Sequence, residues 1–518
     1  MRAEDAHARI AQFLRGDPGA AFAEGLALLR ADQPELLLPE ARAVAQLLPA
    51  NAQAQQLLGL AARACGISAL ALDAFAAAAR LAPDDPLIAH SHARAALEAG
   101  IPATALFAHA ARLAPQDGSI IQGQAAALAQ EGRPAAAIAL LERIVAAQPL
   151  WLDGHRSLAA LRGQLGQDPL ASVVLALSQH GNAPALHHLA IVLALQARDL
   201  GRAGQAVVAA AAGLGTARWL TLLAAHIASE SGALADADRQ FASAGAPADT
   251  NEAWMMARHL LRAQQPERAA ALLDPWRGQP GEPAIWPYLA LAWRLVGDQR
   301  HAWLEGDPRL VGVYDIGLSP ADLAALADHL RKLHFATAAP LDQSVRGGTQ
   351  TDGNVLLRAE PAIRDLRDRL LTIVQRHIAQ LPPPEIGHPT RPATRAPVRI
   401  AGAWSVRLTD AGFHTDHVHP QGWFSSALYI ALPETLGRGA GGGESGGENG
   451  GENGGRHAGW LSLGEARDIV PGLAPLRLIE PQPGRLVLFP STMWHGTRPF
   501  SAGERLTVAF DIARPKQD

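Results

Sequence analysis

The sequence predicts a multidomain chain, an all-α solenoid of repeated helix pairs followed by an α+β barrel domain, with the join near residue 305. Three observations carry this expectation. Roughly the first 300 residues are rich in Ala and Leu and repeat at about 34 residues. Beyond them the chain turns into short alternating segments separated by turn residues. On those segments sit His417 and His419, then His495 at 78 and 76 residues further on, and Arg505 ten positions later. A chain of 518 residues is also too long for one ordinary core.

The repeats come first. ARAVAQLLPANAQ (41–53), AFAAAARLAPDDP (74–86), LFAHAARLAPQDG (106–118) and LLERIVAAQPLWL (140–152) each end a helical phrase on a proline. Pro49, Pro83, Pro115 and Pro149 lie 34, 32 and 34 residues apart. Proline lacks an N–H and its ring clashes with the preceding turn, so it stops the second helix of each pair. Helix, Gly-containing turn, helix and Pro at this period resembles the tetratricopeptide repeat. The signal is strong over 20–150 and weaker afterwards, and the texture counts seven or eight units, ending in a Trp-rich one at 285–303. Stacked repeats of this kind take peptide or protein partners in a groove, or support a neighbouring domain. This sequence leaves both open.

Composition narrows the rest. The formal charge is −4 with 18% charged residues, and no basic stripe points to nucleic acid. Cys65 is the single cysteine, which excludes an internal disulfide framework and a Cys-based zinc site and suits a reducing cytoplasm. The opening MRAEDAHARI has no apolar core of a signal peptide, and no apolar run approaches membrane-spanning length. A cytoplasmic protein with no membrane partner is expected.

From 305 to 518 the expected order is a strand near 312, a helix near 321–334, a longer amphipathic helix over 360–380, a Pro-rich loop, and then strands. RIAGAWSVRLT, GWFSSALYIALP, APLRLIEP, GRLVLFPS and RLTVAFDIA alternate as strands of a barrel do. The Gly-rich stretch 437–456 reads as a flexible insert without chemistry.

Strand side chains alternate sides, so ligands at i and i+2 project from one face. His417 and His419 form such a pair, but so do His414 and Asp416, and without a bulge the two pairs cannot both face inward. A third ligand, His495, arrives from a later strand, as in a metal-binding double-stranded β-helix (a jelly roll). Arg505 opens the next strand, and its planar fork suits a carboxylate. Thr507 and Ala509 share its face and are small enough to leave room. Trp423 and Ser425 share a face with Tyr429 and are candidates to line the pocket. Trp404 and Trp494 read as core.

LDQSVRGGTQT (341–351), GFHTDHVHPQGW (412–423) and the late segment with Pro-x-x-Gly, LVLFP, His495 and Arg505 together resemble the tetratricopeptide-repeat-containing 2-oxoglutarate/Fe(II) oxygenases of bacteria. The resemblance implies a prolyl-hydroxylase-like jelly roll that uses Fe(II), 2-oxoglutarate and O₂, with ascorbate as an accompanying cofactor. Its register, counted from Gly412, makes His417 the first iron ligand and puts His419 where that family carries a carboxylate. His414 and Asp416 remain the alternative pair. It further implies that Arg505, with Tyr429 and Thr507, holds the distal carboxylate of 2-oxoglutarate. Gln343, Ser344, Arg346 and Gln350 then become a candidate substrate rim, although Gly347 and Gly348 point equally to a plain turn. The expected activity is a dioxygenase hydroxylating a substrate that the repeats recruit. The rival expectation is a repeat scaffold attached to a silent metal-binding barrel.

Overall fold

The computed structural model describes residues 18–434, 436 and 457–516, so the Gly-rich insert expected at 437–456 lies outside the described residues. The chain forms two compact units. One contains the described residues up to Ile144 together with Asp352–Asp368, and the other contains Val145–Thr351 and the chain from Arg369 onward. Neither edge coincides with the change of texture at 304/305, because the later repeats share their contacts with the barrel.

Among the described residues, nine helix pairs run from Pro18–Arg30 with Pro34–Leu47 to Trp286–Leu295 with Gln299–Glu305, more than the sequence texture counts. The first helix of each pair ends on one residue with positive φ: Asp32, Gly66, Gly100, Gly132, Gly166, Arg198, Gly232, Gln264 and Gly297, at steps of 32 to 34. After each of them, the next N–H reaches back five residues to a carbonyl at 2.8–2.9 Å, as Ile67 does to Ala62 and Asp298 to Trp293. This is the Schellman closure, which satisfies orphan helix carbonyls. Four of the first helices open on a side-chain cap, at Asn51, Asp85, Asp117 and Asp249, each such cap contributing about 1 kcal/mol.

Small residues let the paired helices close up. Ala61 and Ala78 are fully buried. A Cβ added at Gly59 would meet the Phe75 ring at 2.8 Å, so that ring occupies the space a side chain would need. Within the first unit, the segment 352–368 attaches to the repeats through Ala359 N–H and Ala99 O, 2.9 Å. No described helix is long and apolar enough to cross a membrane.

The barrel lies in the second unit. Six antiparallel strands make one sheet in the order β1-β7-β4-β9-β3-β2. They are β1 (Gly312–Asp315), β2 (Val345–Gln350), β3 (Ile400–His414), β4 (Gly422–Ala431), β7 (Arg485–Pro490) and β9 (Glu504–Ala513). A smaller antiparallel sheet has the order β6-β5-β8, from β5 (Leu461–Leu463), β6 (Arg477–Ile479) and β8 (His495–Thr497). A single bridge from His417 to His495 adds the chain after β3 to this small sheet. The result is a jelly roll with a cavity lined from both sheets.

Alternation on β9 sorts its two faces. Leu506, Val508, Phe510 and Ile512 are fully buried on the outer face, while Arg505, Thr507, Ala509 and Asp511 line the cavity. The helix Pro320–Arg331 packs on β4. On the long helix Pro361–Gln380, His377 sets its ring edge-on to Phe424 of β4 at 4.9 Å.

Candidate metal centre

His417 and His495 face each other across their bridge, exchanging backbone hydrogen bonds of 2.9 and 3.0 Å. His419 follows two residues after His417 and hydrogen-bonds through its backbone N–H to Ser491 O, 2.9 Å. One ring nitrogen from each of His417, His419 and His495 lies within 4.8 Å of the other two.

Each Nδ1 already has a partner: Thr415 O for His417 at 2.8 Å, Met493 O for His495 at 3.0 Å, and the Asp511 carboxylate for His419 at 2.8 Å. A carbonyl or carboxylate can only accept, so each Nδ1 carries a proton and Nε2 is the nitrogen left to face a metal. Burial, reinforced by the neighbouring imidazoles, holds the pKa values of His417 and His495 well below the ordinary histidine value. Oriented and held neutral, His417 and His495 can serve as metal donors, with a ring nitrogen of His419 beside them.

At the other end of the cavity, Arg505 is 2% exposed and forms no ion pair among the described residues. Its Nη1 donates to Thr497 Oγ1 at 3.2 Å, and its guanidinium carbon stands 5.1 Å over the Tyr429 ring. Arg505 Nε and the Tyr429 hydroxyl are both buried without a hydrogen-bond partner. Burial lowers the Arg505 pKa, with Tyr429 opposing, and raises that of Tyr429. Leaving a buried cation unpaired costs several kcal/mol, on the order of 3–5 when a partner is removed. The cavity is therefore complementary to an anion.

Residues 402–511 match the family model described as "Putative 2OG-Fe(II) oxygenase". That stretch contains all three imidazoles and Arg505. No curated protein matches the chain. Among solved structures, it is similar to a Pseudomonas putida prolyl-4-hydroxylase at 16% identity and TM-score 0.25, over 40% of this chain and 94% of that one. It is similar to a tetratricopeptide repeat protein from Parabacteroides merdae at 14% identity and TM-score 0.29, over 46% of this chain and 98% of that one. HygX from Streptomyces hygroscopicus, whose structure holds nickel and 2-oxoglutarate, is similar at 12% identity and TM-score 0.27, over 39% of this chain and 82% of that one.

Within this oxygenase-model segment, the alternative pair separates. Asp416 turns away from the cavity, and its side chain, 1% exposed, receives three hydrogen bonds of 2.7–2.8 Å from the Arg467 backbone and guanidinium. It is not available to a metal in the cavity. His414 does line the cavity, but its Nδ1 meets Ser344 Oγ at 2.9 Å, and burial pulls its pKa down to about 3. The same Ser344 Oγ lies 3.2 Å from His417 Nε2.

Gln343, Ser344, Gln350, Ser425 and Thr507 all line the cavity. Trp423 does not: its indole donates to Thr390 O at 3.0 Å in a buried position. A register shift between Gly422 and Phe424 moves Trp423 off the face it was expected to share with Tyr429.

Trp404, read from the sequence as core, instead lines the cavity and stacks on His419 at 5.6 Å and 8°. Trp494 does sit in a core, edge-on to Tyr288. Gly347 and Gly348 form no turn; they lie on β2 where its pairing with β3 is irregular, the extra residues falling in β3 between Leu408 and Phe413. Gly347 has φ +64, and a Cβ there would come within 3.0 Å of the Gly412 Cα. The sequence reading missed Asp511, although its signal was present: an acid on the inward parity of β9, two residues past Ala509.

Proposed function

We propose that residues 305–518 form a 2-oxoglutarate- and Fe(II)-dependent dioxygenase domain that hydroxylates a substrate presented to the cavity. The observation that carries this is one cavity holding three imidazoles, each with Nε2 left to face a metal, and a buried guanidinium without a counter-ion. His417, His419 and His495 would hold Fe(II). Arg505, with Tyr429 and Thr507 beside it, would bind the distal carboxylate of 2-oxoglutarate.

Bound iron supplies the O₂ chemistry, in which 2-oxoglutarate, O₂ and a C–H bond give succinate, CO₂ and an alcohol. The protein's own contributions are separable. Thr415 O, Met493 O and Asp511 fix the three rings, while Trp404 closes one side of His419. Asp511 also sets a negative charge one imidazole away from the metal position, which offsets the missing carboxylate ligand. The dry outer faces of β4 and β9 exclude water. Ascorbate would serve only as an external reductant, and the single Cys65 suits a cytoplasmic setting.

The test is anaerobic loading with Fe(II) and 2-oxoglutarate, which should give a weak visible absorption band. Admitting O₂ should then produce succinate and CO₂ in equal amounts, and His495→Ala should lose both signals. Stoichiometric metal with no band overturns the proposal.

One observation favours a second reading: no carboxylate joins the donor set, and Asp416 is committed to Arg467. In that reading the repeats bind a peptide or protein partner and the barrel is silent. It predicts metal binding with no succinate, and a partner retained by protein carrying His495→Ala.

A further inference from the structure

The rim of the cavity carries positive charge that the chemistry above does not use. Arg346 stands on β2 between Ser344 and Gln350, both of which line the cavity. Its Nη1 donates to the carbonyl of Gln343 at 2.9 Å and to that of Val345. Its Nη2 is buried with no partner, and it forms no ion pair among the described residues.

A second guanidinium comes from the repeats. Arg198 occupies the positive-φ turn after the helix Pro184–Gln196, and its Nη2 donates to Thr415 Oγ1 at 3.0 Å. Thr415 is the residue whose carbonyl fixes His417, so Arg198 reaches the strand that carries the first imidazole. It approaches Asp468 at 4.0 Å, with both side chains about half exposed, and Asp342 lies within its electrostatic reach. The two arginines are close enough to act on each other. Burial first, then Arg198, pulls the Arg346 pKa down to about 10, with only Asp468 opposing. Arg346 also acts on the cavity-lining His414.

Asp342 and Asp468 match the two guanidiniums in number, but both carboxylates lie toward Arg198, and one N–H pair of Arg346 is left buried and unsatisfied. Neutral carbonyls would serve if the arginines only fastened the repeats to the barrel; they would not leave a buried N–H of a cation empty. A planar carboxylate matches the unfilled fork.

We propose that the substrate of this centre carries a carboxylate, which Arg346 grips at the cavity rim with Arg198 beside it. The inference rests on the oxygenase reading for the word substrate, but not for the carboxylate-binding site itself. The deep Arg505 takes the co-substrate, and the rim pair selects what is hydroxylated. The repeats thereby enter the specificity of the barrel through one turn residue.

The test uses the full chain loaded with Zn(II), so that binding is read without turnover. The probes are hexapeptide pools on a Gly/Ala/Pro background bearing a neutral dye. One pool contains a Glu and its counterpart a Gln, both with blocked ends; a third has a free C-terminal carboxylate and no acidic side chain. N-acetylglutamate serves as the small-acid competitor.

Fluorescence anisotropy is expected to show a carboxylate pool binding about tenfold more tightly than the Gln pool. Which of the three wins identifies side chain, chain end or free acid as the source. Arg346→Gln should remove the preference. Arg198→Gly should weaken it, and this variant keeps the backbone, because glycine occupies the equivalent turn at Gly66, Gly100, Gly132, Gly166, Gly232 and Gly297. Arg346→Lys should restore part of it.

Equal binding of all pools, no binding of any, or a preference untouched in both loss variants overturns the proposal. If the preference is present but Fe(II) and 2-oxoglutarate yield no succinate, the oxygenase reading fails and the carboxylate site stands.

Discussion

The two ends of the barrel cavity are built on opposite rules. At the imidazole end every ring has its Nδ1 tied to a carbonyl or carboxylate, and one backbone bridge pins His417 to His495. At the guanidinium end Arg505 Nε and the Tyr429 hydroxyl are buried with nothing to bond, and the cation has no counter-ion among the described residues. The first end is complete as protein and leaves three Nε2 atoms to face a metal. The second is incomplete as protein. Satisfied polarity here marks where geometry must be held, and unsatisfied polarity marks where charge must be brought by something else.

The sharpest way to break this comparison is to delete one group from each end. His495→Ala should abolish stoichiometric Fe(II) or Co(II) binding in calorimetry. It should also lower stability, since Met493 O loses its buried donor at a cost of about 1–3 kcal/mol. Arg505→Met should do the reverse: metal binding persists, and the melting temperature holds or rises because a buried unpaired charge is gone. Affinity for 2-oxoglutarate should then fall by more than about 100-fold, since two charge-assisted hydrogen bonds are worth about 3–6 kcal/mol. A clear drop in melting temperature for Arg505→Met would mean that the guanidinium is structural, and the contrast between the ends would disappear.

A smaller effect is expected behind the imidazoles. Asp511 accepts from His419 Nδ1 at 2.8 Å and from Ser425 Oγ at 2.7 Å. Asp511→Asn keeps the shape, removes the charge, and allows the amide to present its NH₂ to the ring. Metal affinity should fall about 10- to 100-fold, as for other outer partners of ligating histidines, with 2-oxoglutarate affinity at saturating metal unchanged. Metal affinity equal to the wild type would show that the carboxylate only orients Ser425.

Much of this was legible in the sequence because it rests on periods. Alternation along β9 is enough to put Arg505, Thr507 and Ala509 on one face, and the i, i+2 spacing puts His417 beside His419. The repeats were readable for the same reason over 20–150. Beyond 150 the sequence signal weakens although the positive-φ turn continues at Gly166, Arg198, Gly232, Gln264 and Gly297. What stayed hidden depends on long-range partners. Asp416 is drawn away from the cavity by Arg467, 51 positions later. The shift between Gly422 and Phe424 that removes Trp423 is an extra residue in β4 that shows only in its pairing with β9. Arg198 reaches Thr415 across 217 positions, which no local pattern reports.

The smallest expected effect is also the cleanest probe of the guanidinium end. Tyr429 is fully buried, and its hydroxyl has no hydrogen-bond partner in the free protein. Tyr429→Phe removes only that oxygen and keeps the ring beneath Arg505. If the hydroxyl is there for the protein, its loss should be felt in stability. If it is there for an incoming carboxylate, the melting temperature should stay put or rise slightly, because a desolvated hydroxyl no longer has to be buried. Affinity for 2-oxoglutarate should then drop about fivefold, the worth of one neutral hydrogen bond near 1 kcal/mol. Combining the substitution with Arg505→Met should add almost nothing to the loss, since both groups would address the same carboxylate and two contacts to one ligand group are not independent. Full additivity in that double variant would place the hydroxyl on a different part of the ligand and split the guanidinium end into two sites.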